Sequence, residues 1–534
     1  MPKLIQSLSC FLYNFTFLVS FSCLATTAHS EQLPSHTPAD CDTAKKPVPC
    51  YQKPKFVVPP EEGYIAGPLH QPNMKIHAKS DNNHSFYVLP ATPATTTWGY
   101  FNSSAKPALT IKSGDSVAIE TLPGGGGNVA PGLTIEQLEY INAAEEGRGP
   151  HTMTGPIYVE GANPASDKYA GDILAIHINK IRMRSYATNN SADFGGLFSE
   201  FGQGGTYQPL KMTPFTKHFI DSYYLDNEKM EMEFEKHPHI VVPLNPFPGT
   251  LGVARAIEDE KKEYSGALPT PPISGAGWCV KKGDDSSQIA KCNTKQPGNF
   301  GGNLDLPLMT TGSTTYLPVF QKGGLIWTGD SHAAQGNGEI DLDALETAFP
   351  EMNVTIDIIH RSEHPEFGEQ PVVETKDSWV TIGYEVSLNQ ALESLKSETI
   401  RFLMAKRGIS RSDAEQLMVK VWDCPISEVV DEVLGTYCIL PKNPHAPRSA
   451  DIPRHDTKTH WVSYASDPTD LMKAMKKASY ASVEQMSREL SVPTARAYRL
   501  ATFVQDCRIG RPTSSQETKF EVSCMVPKKI LRSK

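Results

Sequence analysis

The sequence lacks the motifs of the common nucleophilic hydrolases. It has no Gly-x-Ser-x-Gly motif, no Ser-Ser-Lys arrangement, and no Glu, Lys and Cys at the spacing that nitrilases use. The glycine-rich stretch 124–127 is followed by neither GKS/T nor GxGxxG, so it predicts a flexible loop and not a phosphate cradle. A serine or thiol nucleophile is disfavoured, and we expect any hydrolysis to use water activated by a metal or by an acid/base pair.

Charged residues are also scarce, and the basic ones do not cluster. They make up 21% of the 534 residues, and the formal net charge is −9. Because no basic patch stands out that would neutralise phosphates, we expect neither nucleic acid nor an anionic membrane as a partner. The 42 prolines and 39 glycines indicate a loop-rich protein dominated by β-structure, and the length predicts two or three domains.

The first residues of the chain, 1–30, have the pattern of a secretory signal peptide. Lys3 supplies the positive charge, residues 8–24 are mostly apolar, and Ala28 and Ser30 are small residues that suit a cleavage site. An uncleaved membrane anchor is the alternative, but polar residues interrupt the apolar stretch and no later apolar run reaches about 18 residues. We therefore expect a secreted protein with no membrane contact after cleavage.

Short apolar runs between glycine, proline and asparagine turns dominate residues 64–375. Their alternation predicts strands, and their even spacing predicts a sandwich or barrel. We therefore expect a mainly β fold of β-sandwich or jelly-roll-like domains in this region. A loose arm without periodicity, residues 31–63, precedes it.

The C-terminal part of the chain contains an internal repeat. Three landmarks recur in the same order in residues 376–445 and 446–534: Trp379 and Trp461, Cys424 and Cys507, Cys438 and Cys524. Each copy predicts a strand, two helices and a strand, with Ser410 and Ser491 as N-caps of the second helix. We therefore predict an internally duplicated α+β region, whose second copy we interpret as structural or as the surface of a homo-oligomer.

The cysteines favour disulfides in an exported chain. Eight remain after the predicted signal peptide: Cys41, Cys50, Cys279, Cys292, Cys424, Cys438, Cys507 and Cys524. Eight cysteines allow 105 pairings. Because each repeat copy carries one cysteine after its second helix and one in its returning strand, we predict the pairs Cys424–Cys438 and Cys507–Cys524. The remaining four would pair by proximity, as Cys41–Cys50 and Cys279–Cys292, and a cross-copy pair such as Cys424–Cys507 is the alternative.

Four Asn-x-Ser/Thr tripeptides suggest a glycoprotein. They lie at Asn83, Asn102, Asn189 and Asn353. Such sites would be glycosylated only in a eukaryotic secretory pathway, where the glycan needs an accessible surface.

A polar cluster at residues 329–339 is the strongest indication of chemistry. The runs LPVF and GLIWTG predict two strands joined by a turn at residues 322–324, so we expect the cluster to begin where the second strand ends. On an extended backbone Asp330 and His332 point to the same face, where an acid and an imidazole could bind a metal or form an acid/base pair. A polar loop that closes a hairpin is the alternative.

Five blocks of the chain carry, in order, the motifs of one known family. They are WGYFNSSAKPALTIKSGDSVAI at 98–119, TGPIYVEGANPASDKYAGDIL at 154–174, PGTLGVA at 248–254, PP at 271–272 with GGNLD at 301–305, and GDSHAAQGNGE at 329–339. With these blocks, residues 98–442 resemble the acetamidase/formamidase family. The resemblance implies hydrolysis of short linear amides, such as formamide and acetamide, to a carboxylate and ammonia.

Polar residues inside these blocks form the predicted site. We expect three ligands of a divalent metal, with zinc as the first candidate: Asp330, His332 and Asp305. We expect three catalytic residues: Glu160, Asn303 and Glu339. Glu339 follows two glycines and could instead be a third ligand. His151 lies nine residues before Glu160 and is a weaker candidate.

Two positions depart from the family pattern. Thr97 stands where many relatives have His before Trp-Gly, and Asn337 stands where they have Asp after Gln-Gly. These departures, with the duplicated C-terminal copy, keep a second hypothesis open. In it the chain is a catalytically silent, secreted β-rich protein that binds ligands or partners on the same scaffold.

Overall fold

The computed structural model describes residues 74–76, 84–124, 131–137, 150–191, 196–198, 219–255 and 291–532, apart from single positions and residues 235–236 and 513–518. All of them fall within the unit Gln52–Lys534. The predicted signal peptide and N-terminal arm lie outside the described residues, as do Cys41, Cys50, Asn83 and Cys279. The pairs Cys41–Cys50 and Cys279–Cys292 therefore stay predictions.

Strands make up most of the described chain before residue 386. The first group comprises β1 (Met74–Ile76), β2 (Phe86–Leu89), β3 (Thr96–Trp98), β4 (Tyr100–Asn102), β5 (Leu109–Lys112), β6 (Ser116–Thr121), β7 (Thr152–Glu160), β8 (Asp172–Arg182), β9 (Tyr186–Ser191), β10 (Phe219–Tyr224) and β11 (Glu231–Phe234). The second comprises β12 (His237–Pro243), β13 (Phe247–Val253), β14 (Lys291–Asn293), β15 (Pro297–Gly298), β16 (Gly301–Asn303), β17 (Thr314–Pro318), β18 (Gly324–Ala334), β19 (Leu345–Thr347), β20 (Phe349–His360), β21 (Val372–Glu374) and β22 (Ser378–Glu385).

The named helices of the described residues follow β22. The remaining elements are α1 (Leu388–Arg407), α2 (Arg411–Lys420), β23 (Cys424–Pro425), β24 (Leu434–Pro441), β25 (His460–Asp467), α3 (Leu471–Leu490), α4 (Thr494–Val504), β26 (Asp506–Ile509), β27 (Phe520–Pro527) and a 3₁₀ turn, Lys528–Ile530. None of the described helices combines the length and the apolarity that crossing a membrane would need.

Among the described residues, two large sheets form the β-rich part. The first has nine strands, in the order β1-β2-β6-β20-β8-β17-β21-β22-β24. The second has ten: β10-β9-β19-β18-β13-β16-β15, joined by β7, which pairs with β18, β3 and β5. Side chains of both sheets share one hydrophobic core, in which Phe101 packs edge-on against Phe300 and Trp327. The mainly β fold is confirmed, whereas the sandwich or jelly-roll topology stays a prediction.

The strand β18 lies at the centre of the second sheet. It pairs antiparallel with β13, β7 and β19, and all its residues, GLIWTGDSHAA, are buried. The predicted turn precedes it, with φ values of 76° at Gly323 and 72° at Gly324. The expectation that the strand ends before the polar cluster is wrong, because β13 continues the pairing as far as His332 and β19 as far as Ala334. The polar groups are therefore built into a buried strand.

The two C-terminal segments have the same order of elements. Residues 376–445 (the first unit) and residues 446–534 (the second unit) each contain a strand, a 20-residue helix, a shorter helix, a short strand and a longer strand. In the first unit, α1 lies so close to β22 that a Cβ at Gly383 would stand 2.3 Å from the carbonyl oxygen of Ala391. The α+β character is present in both units, and the duplication itself stays a prediction.

The caps of the shorter helices differ between the units. Ser410 is the N-cap of α2, as predicted, because its Oγ accepts a hydrogen bond of 3.2 Å from the Asp413 amide. The prediction for Ser491 is wrong. Ser491 ends α3 in the left-handed conformation, with φ 55°, and α4 begins after Pro493 without a side-chain cap. Pro493 itself occupies the N-cap position, with φ −55° and ψ 146°.

The disulfide pairing predicted for the C-terminal units is confirmed. Cys424 is bonded to Cys438, and Cys507 is bonded to Cys524, with sequence separations of 14 and 17. Each bond joins the short strand of a unit to its longer strand, so the cross-copy alternative is wrong for these cysteines.

One of the predicted glycosylation sites is corrected by the structure. The side chain of Asn189 is completely buried in β9, where its Nδ2 donates to the carbonyl oxygens of Asp343 and Ala344 at 3.2 Å each. A glycan is bulky and needs solvent, so Asn189 cannot carry one in the folded protein.

We predict that each local disulfide stabilises its own unit by a similar amount. Replacing Cys424 and Cys438 together by serine should lower the free energy of unfolding by about 3 kcal/mol, because the unfolded chain gains entropy when the bond no longer closes a loop of this length. The pair Cys507 and Cys524 closes a loop of nearly the same length and should give a loss of the same size. Urea unfolding followed by tryptophan fluorescence measures both losses. An unchanged unfolding midpoint for either double variant would contradict the prediction.

Candidate metal centre

Asp330 and His332 meet inside the sheet, as the sequence predicted. Both lie on β18 and are almost fully buried, and His332 Nε2 is 3.3 Å from Asp330 Oδ1. The neighbouring strand β13 contributes Gly249, where an added Cβ would stand 2.5 Å from both Asp330 Oδ2 and His332 Cε1. Only a glycine there leaves room for the two side chains.

Glu346 is a member of the site that the sequence analysis missed. It lies on β19 directly opposite His332, and its Oε1 is 3.0 Å from His332 Nε2. Its other oxygen accepts a 2.7 Å hydrogen bond from the amide of Gly124. Cross-strand neighbours have Cβ atoms about 5 Å apart, so the contact follows from the register. No local motif marks Glu346, because its pairing with β18 is not visible in the sequence.

The second ring nitrogen of His332 faces different partners. Nδ1 lies 2.7 Å from Gln335 Oε1 and 3.6 Å from Asp305 Oδ1. A carbonyl oxygen can only accept, so the contact with Gln335 places the proton of a neutral ring on Nδ1. The lone pair then belongs to Nε2, which faces Asp330 and Glu346. This is the arrangement in which a histidine binds a metal through one nitrogen while the other donates to an orienting acceptor.

Asn303 holds the neighbouring acids in place. Its Nδ2 donates to Asp305 Oδ2 at 2.7 Å and to Asp431 Oδ2 at 2.8 Å, and its Oδ1 accepts from Thr250 Oγ1. Both amide hydrogens are therefore committed to carboxylates. Asp305, the residue predicted as a metal ligand, follows β16 at the inner edge of this network and is fully buried.

The first C-terminal unit supplies two further acids that the sequence analysis missed. Asp431 and Glu428 are buried, and Glu428 Oε2 accepts from the amides of Val430 and Asp431 at 2.9 and 3.1 Å. Three overlapping groups bring one ligand atom per residue within 4.8 Å of one another: Asp305, Asp330 and His332; His332, Glu339 and Glu346; Asp305, Glu339 and Asp431. The predicted residues Asp305 and Glu339 thus belong to the same site as His332.

His151, the weaker candidate, also belongs to the site. Its Nδ1 is 3.0 Å from the carbonyl oxygen of Thr294, so Nδ1 donates and Nε2 faces Asp330 Oδ2 at 3.6 Å. The structure does not bring Glu160 to this cluster. His151 immediately precedes β7 and Glu160 ends it, exposed, so the two are about 30 Å apart along an extended strand.

The two departures from the family pattern lie near the site without occupying it. Thr97 pairs with Met153 across β3 and β7. Asn337 Nδ2 donates to Asp506 Oδ1 at 2.7 Å, and its Oδ1 accepts from Tyr437 Oη at 2.8 Å.

Burial and charge divide the acids of the site into two kinds. Burial opposes ionisation of Asp330, but His151 and His332 bring its pKa down to about 2. Burial opposes the cationic form of His332, yet Glu346 and Asp330 raise its pKa well above the ordinary value. Burial, reinforced by Asp305 and Asp431, raises the pKa of Glu339 well above its ordinary value. Asp330 is therefore the acid whose anionic form is favoured, and Glu339 is the acid whose protonated form is favoured.

The donor set fits a divalent cation. His332 Nε2 and Asp305 Oδ1 are buried atoms without a hydrogen-bond partner, although each lies among groups that could share an ion. Buried polar atoms are normally satisfied by a partner or by a bound ion or water. Imidazole nitrogen with carboxylate oxygens is a ligand set that zinc accepts at about 2.0–2.2 Å.

Backbone strain is concentrated at the same residues. Asp305, Asp330 and Glu339 all have left-handed backbones, with φ values of 44°, 52° and 45°. Such positions cost on the order of 1–3 kcal/mol each for non-glycine residues and persist only where the surrounding structure fixes them. All three had been predicted as site residues, and each belongs to at least one of the groups of candidate ligands.

We predict that Gly249→Ala weakens the binding of Zn²⁺ about tenfold without unfolding the protein. The added Cβ must displace Asp330 or His332, and overpacking of this kind costs about 1–3 kcal/mol. Isothermal titration calorimetry measures the affinity, and circular dichroism checks the fold. Ser412→Ala is the control, because Ser412 is an exposed residue of α2. Equal zinc affinity in both variants would count against this site.

The chain is similar to known proteins of one family. The sequence pattern of the acetamidase/formamidase family matches residues 96–410. The formamidase of Methylophilus methylotrophus is 24% identical over 247 residues, which cover 43% of this chain and 56% of that protein. The acetamidase of Mycolicibacterium smegmatis is 26% identical over 295 residues, which cover 50% of this chain and 66% of that protein. The chain thus spans less than two thirds of the length of these curated relatives.

Solved structures show the same fold. The acetamidase of Yersinia enterocolitica superimposes with a TM-score of 0.50 at 23% identity, covering 66% of this chain and 90% of its own. A gamma lactamase from Delftia acidovorans superimposes with a TM-score of 0.51 at 16% identity, covering 82% and 90%. Since the family pattern extends over more than half of its residues, this chain belongs to the acetamidase/formamidase family.

Proposed function

We propose that the protein is an amidase that hydrolyses short linear amides, of the formamide and acetamide type, to a carboxylate and ammonia. Membership in the family supports this proposal, as do the names of the two curated relatives. The observation that carries it is the buried pair His332 and Asp330, in which the histidine presents an unpartnered Nε2 beside two carboxylates.

We propose that a divalent metal, with zinc as the first candidate, binds at His332 and Asp330. Asp305 was the predicted third ligand and lies on the Nδ1 side of the ring, whereas Glu346 lies on the Nε2 side. The Gln335 contact favours Nε2 as the binding nitrogen and hence Glu346 as the nearer carboxylate. When bound, such a metal would polarise the amide carbonyl and lower the pKa of water.

The remaining residues have distinct tasks in this proposal. Glu339, as the carboxylate, would take a proton from attacking water. Burial and neighbouring acids raise its pKa and so favour the protonated form, which would then give the proton to the departing nitrogen. Asn303 would position Asp305 and Asp431, because its amide hydrogens are already donated to them. His151 would keep Asp330 ionised. Glu160 has no part in the proposed mechanism, since it lies at the far end of β7.

The silent-scaffold hypothesis receives less support. The side chain of Asn337 is bonded to Asp506 and Tyr437, and the buried acids around His332 are present despite both departures. A scaffold that had lost its activity would be free to lose strained, buried carboxylates, which cost stability. This chain keeps them around His332.

We also propose that the protein is secreted. The two disulfides support this, because such bonds persist mainly in oxidising compartments. Amino-terminal sequencing of the exported protein tests the proposal, with a mature chain expected to begin near Glu31. Recovery of the intact Met1 terminus on exported protein would contradict cleavage.

The decisive test of the function is His332→Ala. Ammonia release from formamide and acetamide should fall by at least about 100-fold, and zinc content should fall with it, because the variant loses the proposed metal ligand. A chelator should inactivate the wild-type protein. His455→Ala, which removes an exposed histidine, is the matched control and should retain full activity.

Two further variants of the same experiment identify the third ligand. If Nε2 binds the metal, Glu346→Gln should lower zinc affinity more than Asp305→Asn does. The reverse order would assign the metal to the Nδ1 side. Lost activity with full zinc content in His332→Ala would instead give His332 an acid/base role, and undiminished activity would refute the proposed site.

A further inference from the structure

The segment 335–339, called the site loop here, carries two of the contacts on which the site depends. At its start Gln335 meets His332 Nδ1 at 2.7 Å, and at its end Glu339 lies within 4.8 Å of the ligand atoms of Asp305. Its backbone is strained at Glu339, with φ 45°. The loop can hold this geometry only if its neighbours fix it.

The first C-terminal unit holds the loop from one side. The amide of Gly338 donates to the carbonyl oxygen of Ser427 at 2.8 Å, and the amide of Val429 donates to the carbonyl oxygen of Gly338 at 3.2 Å. The buried Tyr437 donates from Oη to Asn337 Oδ1 at 2.8 Å. These contacts tie the loop to the segment that also supplies Asp431.

The second C-terminal unit, which lies beyond the family match, holds the loop from the other side. The amide of Gly336 donates to the carbonyl oxygen of Thr502 at 2.7 Å, and a Cβ at Gly336 would stand 2.6 Å from the carbonyl oxygen of Gln505. Asn337 Nδ2 donates to Asp506 Oδ1 at 2.7 Å. Asp506 is itself fixed by Arg508, whose Nε donates to Oδ2 at 2.9 Å.

Asn337 is thus the one side chain of the site loop with a hydrogen bond to both units among the described contacts. It uses its acceptor toward Tyr437 and its donor toward Asp506. An aspartate would keep the acceptor but lose the donor, and it would place a second carboxylate about 2.7 Å from the first, where like charges repel strongly. An amide is therefore required at this position as long as Asp506 faces it.

We propose that Asn337 is a positioning residue, and that the Asn337–Asp506 contact makes the second C-terminal unit part of the working site. Through this contact the second unit fixes the position of the site loop. The loop position in turn determines the contact of Gln335 with His332 and the distance of Glu339 from Asp305. The inference rests on the proposed amidase function for its kinetic readout. Its second readout, the affinity for Zn²⁺, does not require amidase activity.

The test is a charge-and-donor swap. Asn337→Asp should lower kcat/KM for formamide about tenfold or more, because small displacements of catalytic groups have effects of this size. The double variant N337D/D506N reverses the hydrogen bond and should restore activity to within about threefold of wild type. Asp506→Ala removes the acceptor without adding charge, and it should lower kcat/KM if N337D is too unstable to purify.

Controls separate positioning from mere stability. Asn443→Asp is the matched control, since Asn443 is exposed and offers its Oδ1 to the His445 amide, which an aspartate would also serve. It should leave kcat/KM unchanged. If N337D lowers only the melting temperature, or if D506N fails to rescue it, the inference is overturned.

A failed amidase proposal would be recognised separately. If the wild-type protein releases no ammonia from either amide, Zn²⁺ affinity measured by calorimetry replaces kcat/KM. Weaker binding in N337D and recovery in N337D/D506N would still support the positioning role. Equal affinity in wild type and N337D would reject it.

Discussion

One imidazole surrounded by buried carboxylates is the constraint on which the rest of this site depends. His332 faces Asp330 and Glu346 with one nitrogen and Asp305 with the other, and all four side chains are buried. Unpaired charges are costly to bury, so this group can persist only with a compensating cation or with bound protons. Burial and neighbouring acids raise the pKa of Asp305 and of Glu339, which favours bound protons on these two groups. A divalent metal would supply the compensating cation.

The sheet stabilises this arrangement by fixing the backbone of β18. β18 is hydrogen-bonded on both sides, so it can keep Asp330 in a left-handed conformation that a free loop would relax. Gly249 on β13 then leaves the space that the side chains of Asp330 and His332 fill. Strand pairing and close packing thus stabilise a strained geometry that ordinary strand propensity disfavours, and such strain is typical of functional sites.

Much of the site could be predicted from local sequence, because local spacing determines it. Asp330 and His332 are two residues apart on a strand, and their shared face followed directly. Glu346 could not be found in this way, since it meets His332 through strand pairing between distant segments. Glu160 was predicted because its sequence block resembles the family. It lies at the far end of β7, however, away from the site.

The parts of the fold that depend on local sequence could also be predicted. Alternating apolar residues predicted the β-rich part, and equivalent cysteines predicted both C-terminal disulfides, because each pair is local. The prediction of Ser491 as an N-cap is wrong because Ser491 lies between two helices. Sequence alone does not distinguish a serine that ends the first helix in the left-handed conformation from one that caps the second.

The acids of the site come from distant segments of the chain, so the site depends on the assembled fold. Asp330 and Glu346 come from the second sheet, whereas Asp431 comes from the first C-terminal unit, whose strand β24 closes the edge of the first sheet. Asn303 bridges the two sources by donating to both Asp305 and Asp431. The site can therefore form only when both sheets and the first unit are assembled, so a partly folded chain would lack the binding geometry altogether.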